Sequence, residues 1–155
     1  MIQYGCKIGV ANYALTIGRY VMKRSVLMVL ASFVALTGCQ TLKDAPNMAT
    51  LGVDFSWKNT SACSSKSPAF KISGVPDGTK TLKFWMTDLN VPSYTHGGGN
   101  VEHMGSGDIP AGAFSYTGPC PPSGSHKYQW EVTAINAAGD TIVGKGQATK
   151  PFPPN

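Results

Sequence analysis

The chain has 155 residues, 42% of them hydrophobic and 14% charged, with a formal net charge of +5. Four of its thirteen basic residues, Lys7, Arg19, Lys23 and Arg24, precede Cys39, and no acidic residue does. The remainder holds nine basic against eight acidic residues, so the basic stripe that a nucleic-acid partner needs is missing and that class is excluded.

Residues 1–21 are assigned no fold and are read as lying upstream of the true start, Met22. "MKRSVLMVLASFVALTGC" then runs from Met22 to Cys39. Two cations are followed by 13 uncharged residues, Ser25 to Thr37, which is too short for a membrane span and has the order of a secretory signal peptide. Its end, Leu-Thr-Gly-Cys, resembles the lipobox of bacterial lipoproteins. That resemblance implies removal of residues 1–38, acylation of Cys39 and a membrane anchor. Gln40 is not the aspartate that signals inner-membrane retention, so the expected location is the outer membrane, on its periplasmic face.

Residues 39–50 are polar, contain Pro46 and show no period, which reads as a tether. Residues 51–155 form a single expected domain. Leu51, Val53, Phe55 and Trp57 alternate with Gly52, Asp54 and Ser56, as in a half-buried strand. "FKISGVPDGTKTLKFWMTDL" holds two extended runs around a Val-Pro-Asp-Gly turn, where Pro76 presets one dihedral and Gly78 permits a positive one. In the second run Leu82, Phe84 and Met86 share a face that Asp88 continues. "HGGGN" and "GSGDIPAGAFSYTGPCPPSGS" are read as loops between strands. In "HKYQWEVTAIN", Tyr128, Trp130, Val132 and Ala134 oppose Lys127, Gln129, Glu131 and Thr133. A turn and a last strand follow, and "KPFPPN" ends the pairing. The fold class is therefore mostly β, an antiparallel β-sandwich with long Gly/Pro loops.

Cys63 and Cys120 remain as an even pair in an oxidising compartment, which predicts a disulfide between them. Asp88 is costly on an apolar face unless it is paired. After Cys39 the histidines are His96, His103 and His126, at intervals of 7 and 23 residues that fit no zinc motif, so neither a metal nor any other cofactor is expected. The loop "YTGPCPPSGSHKY", residues 116–128, is stiffened by prolines and opened by glycines. A stiff loop that delivers His126 to a strand start suits a small anion.

These motifs together resemble the phosphatidylethanolamine-binding protein family, in its bacterial Raf-kinase-inhibitor-like branch. "SPAFKISGVPDGTKTLKFWMTD" is similar to that branch's Ser-Pro, strand, Gly-Val-Pro-x-Gly-Thr-Lys, strand unit. "DLNVP" resembles its Asp-Pro-Asp-x-Pro motif, "EHMGSGDIPAG" its His-Trp strand leading into Asn-Ile-Pro-Ala, and "YTGPCPPSGSHKY" its Tyr-x-Gly-Pro-x-Pro-Pro and Gly-x-His-Arg-Tyr motif. The resemblance implies an antiparallel sandwich with a small pocket at one end for phosphate-like and phospholipid head groups. It places Asp88, His103, Gly118, Pro122, His126 and Tyr128 around that pocket. The chain departs from the family at Leu89, Asn90, Met104 and Lys127, and the segment from Ile109 to Tyr116 is shortened.

The expected function is a non-catalytic, lipid-anchored binding module whose partner is a small anion or phospholipid head group. An interaction or inhibitor domain acting on an envelope protein is the alternative. An enzyme built on an Asp88–His couple ranks last, because no activated nucleophile is visible.

Overall fold

The computed structural model describes residues 41–153. The leader and Cys39 with its acylation lie outside the described residues. The described chain forms strands β1 (Lys43–Thr50), β2 (Gly52–Ser56), β3 (Ala69–Ser73), β4 (Thr79–Asp88), β5 (Thr95–Glu102), β6 (Asp108–Ile109), β7 (His126–Asn136) and β8 (Thr141–Phe152). They make a five-stranded sheet ordered β1-β8-β7-β4-β5 and a three-stranded sheet ordered β2-β3-β6.

The core is dictated by alternation. Leu82, Phe84 and Met86 of β4 and Tyr128, Trp130, Val132 and Ala134 of β7 are all buried on one face of the larger sheet. They oppose Phe55, Phe70, Ile72 and Ile109 of the smaller one. The two layers meet through aromatic rings: Phe70 lies 4.7 Å from Phe84, in a tilted contact, and 5.1 Å from Trp130, edge to face. Edge-to-face and offset pairs add about 1 kcal/mol each beyond the area they bury. The Val-Pro-Asp-Gly turn forms as expected, with Gly78 at φ +78° and Thr79 N–H donating to the Pro76 carbonyl.

Within the second run read as a loop, Asp108 and Ile109 form the short strand β6, paired with β3, and two longer segments also differ from the sequence expectation. Residues 43–50 are not a tether; they are the edge strand β1, which pairs with β8 and is the one parallel pairing among the described strands. Its polarity reflects its position, since most of its residues are exposed. Pro46 falls within the register shift between Asp44 and Ala49, where a missing N–H costs no ladder bond.

"HGGGN" is likewise not a loop but the body of β5, paired with β4 from Thr81↔Glu102 to Thr87↔Thr95. Glycine carries no side chain to alternate, so the run has no period to read. Gly98 and Gly99 are needed there because neighbours come close. A Cβ on Gly98 would stand 1.9 Å from the Phe84 carbonyl oxygen, and one on Gly99 would stand 2.5 Å from the Phe114 side chain.

Candidate functional site

The C-terminal end of β4, the start of β7 and the start of β5 converge at one end of the sandwich. The β4–β7 register puts Asp88 opposite Tyr128, and His126 lies two residues before Tyr128 on the same face. Asp88 continues the buried face of Leu82, Phe84 and Met86 and is itself 4% exposed. Its carboxylate is fully engaged. Asn90 N–H and Val91 N–H donate to Oδ1 at 2.8 and 3.2 Å, and His126 Nδ1 donates to Oδ2 at 2.7 Å. Burial pushes the Asp88 carboxyl up, but the His126 hydrogen bond, the two backbone donors and the imidazole's charge outweigh it, so the group sits below the usual carboxylate range.

Tyr128 is 1% exposed. Burial, the neighbouring Asp88 charge and the hydroxyl's hydrogen bond to that carboxylate push its phenol up to about 12, with the Cys120 backbone N–H working in the opposite direction. The hydroxyl therefore stays protonated at neutral pH.

The histidine that joins this cluster is His96. It sits at the irregularity where Met86 pairs with Gly97 and Thr87 pairs with Thr95. Gly97 takes φ +76° there. An extra residue beside a left-handed glycine re-aims a side chain, and here it turns His96 inward to 4% exposure. A carbonyl only accepts, so His96 Nδ1–H donates to Thr117 O at 2.6 Å, while Thr117 N–H returns a bond to His96 O. The His96 ring meets Tyr128 edge to face at 5.4 Å, and the His126 ring stacks on Tyr128 at 6.2 Å. Tyr128 is thus the common wall between two imidazoles.

The loop after Tyr116 is pinned from several sides. Cys63 and Cys120 stand at disulfide distance, with Cα atoms 4.6 Å apart. Cys63 N–H donates to Pro119 O. Gly118 is buried against the Ser64 carbonyl, where a Cβ would collide at 1.8 Å. Pro122 lies on the same loop and is exposed. Asn90, which departs from the family motif, plays a structural part. Its Oδ1 accepts the Lys127 N–H at 2.8 Å and ties the Asp88 turn to the start of β7.

Of the residues expected around the pocket, Asp88, His126 and Tyr128 are brought together, with Gly118 and Pro122 on the adjoining loop. His103 is not. Antiparallel pairing of β5 with β4 sends the chain back to the start of β4, where His103 N–H donates to Lys80 O. Along β4, that is roughly 25 Å from Asp88. His103 instead lines a separate cavity of about 420 Å³ with Val75, Pro76 and Asp77. His96 was missed because "HGGGN" lacked a strand period. The available signal was the hairpin: a strand that pairs back from the Asp88 turn must bring the first residues after it beside Asp88.

The family profile described as phosphatidylethanolamine-binding protein matches residues 41–151. The chain belongs to the phosphatidylethanolamine-binding protein family. Among solved structures, it is similar to a phosphatidylethanolamine-binding protein homolog, CT736, from Chlamydia trachomatis D/UW-3/CX. That match has a TM-score of 0.50 and 16% identity, and it covers 70% of this chain and 99% of the other. At that identity the likeness is one of fold. A search of curated proteins found no match. Phosphatidylethanolamine-binding proteins are generally non-catalytic binding proteins, and many bind ligands or act as inhibitors.

Proposed function

We propose that the protein is a non-catalytic binding module. Its Asp88–His126–Tyr128–His96 cluster holds a small oxyanion, either free phosphate or a phospholipid head group. One observation carries this reading: both imidazoles commit Nδ1–H to a fixed acceptor, Asp88 for His126 and Thr117 O for His96. Each therefore keeps Nε2 for a ligand. Protonation turns Nε2 from an acceptor into a donor. Anion binding is thereby linked to proton uptake, and Tyr128 O–H helps hold Asp88 in its acceptor state.

The test is a titration of phosphate and of phosphoethanolamine into the full chain, followed through the histidine ring signals by NMR. Ring shifts of His96 and His126 are expected at millimolar ligand. The response should be lost in His126→Asn. Absence of any ring shift at millimolar ligand would defeat the proposal.

We further propose that Cys39 carries lipid and anchors the domain at the outer membrane, facing the periplasm, which the Leu-Thr-Gly-Cys pattern supports. Labelled palmitate should enter the wild-type chain and not Cys39→Ala. Equal labelling of the two would remove the anchor.

A further inference from the structure

A second concavity, of about 480 Å³, opens on the outer face of the smaller sheet, with no histidine in its lining. Its floor is the paired Ser56 and Ala69, at the end of β2 and the start of β3. Its walls are the 58–67 segment and the turn at Ala111 and Gly112. We propose that this cleft is a binding site for a phosphorylated small molecule, a phosphomonoester on a polar carrier.

Charge points to the phosphoryl group. Lys58 and Lys66 both line the cleft, and no carboxylate does. Among the described residues neither ammonium group has an ion-pair partner. The nearest acid along β2, Asp54, is held by Lys150.

Hydroxyl chemistry points the same way. Ser56 Oγ accepts the Lys58 N–H at 3.1 Å and Ser64 Oγ accepts the Lys66 N–H at 3.3 Å. A hydroxyl whose oxygen already accepts has its O–H left to donate. The cleft thus offers O–H and ammonium donors, a surface complementary to phosphate oxygens.

The site is also preorganised. The same serine bonds fold the chain around each lysine, and Asn59 is held at φ +63°. Ser67 N–H donates to Phe114 O and Gly112 N–H to Ser67 O, so the two walls are tied to each other. The volume falls within the range that takes a small organic ligand, larger than phosphate alone requires. The carrier is accordingly polar, to match Asn59 and Thr60.

The test uses the full chain, with inorganic phosphate, glucose 6-phosphate and glucose as probes and the backbone amides of Asn59, Thr60 and Gly112 as reporters. These amides should shift saturably with glucose 6-phosphate, more weakly with phosphate, and not with glucose. Lys58→Gln with Lys66→Gln should weaken glucose 6-phosphate by about tenfold. The charge-conserving pair Lys58→Arg with Lys66→Arg should retain binding, and His126→Asn should leave the shifts unchanged. The proposal is overturned if the reporters stay still at millimolar probe or respond equally to glucose. It also fails if the double glutamine change leaves the affinity unchanged, or if binding is lost from the double arginine one. If the shifts vanish in His126→Asn, the response comes from the histidine cluster and this cleft is not a site.

Discussion

Asp88 shows how a single buried carboxylate can organise a site. It collects two backbone N–H groups, one imidazole and the Tyr128 hydroxyl. Because the folded protein holds this carboxyl below its ordinary value of 3.8, ionisation stabilises the fold. That contribution is complete above the ordinary carboxylate pKa and fades as pH falls through the lower folded value. We predict that Asp88→Asn costs about 2 kcal/mol at neutral pH, since hydrogen bonds to a charged group contribute about 1.5–3 kcal/mol. The cost should shrink as pH falls below the ordinary carboxylate value and the wild-type carboxylate is protonated. Urea unfolding of both proteins across that range would measure it, and a constant gap would contradict it. Asp88 was legible as an oddity because an acid on an apolar face demands partners. Its neighbour in the cluster, His96, was not, since neither its register nor its inward turn is written in local composition.

At the scale of elements, β5 is the informative strand. Its glycines are read in isolation as loop punctuation, yet they allow the strand to lie against β4 and Phe114. Gly98→Ala is expected to cost at least about 2 kcal/mol, as overpacking against backbone has no flexible neighbour to yield. Gly124→Ala meets open space but a φ of +64°, so only the left-handed penalty applies, about 1 kcal/mol. Denaturant midpoints for the two variants should rank in that order, and equal losses would show that β5 is not tightly packed at Gly98. The apolar strands β4 and β7 were plain in the sequence because period-two alternation survives wherever one face is buried. Strand β1 was hidden because an edge strand buries little and so carries little pattern.

Across the whole molecule, the Cys63–Cys120 pairing spans 57 residues and joins the segment after β2 to the loop that bears Thr117 and Gly118. Closing a loop of that length removes unfolded-state entropy worth about 4 kcal/mol in the chain-entropy model. Replacing both cysteines by alanine should lower stability by about 2–4 kcal/mol. Because the Cys120 N–H reaches Tyr128 and Thr117 O orients His96, the His96 ring signal should broaden or move as well. Thermal unfolding and the NMR ring signals would report the two effects separately, and an unchanged unfolding midpoint would refute the first. Alternation along β2, β4 and β7, the Pro76–Gly78 turn, the acid at Asp88 on an apolar face and the cysteine pair are local or compositional facts, so the residues alone determined them. Which histidines gather beside Asp88, the parallel seat of β1 and the lysine cleft on the outer face depend on strand register and on loops meeting across sheets. Only tertiary packing decides such long-range contacts, because no short stretch of chain contains both of the partners.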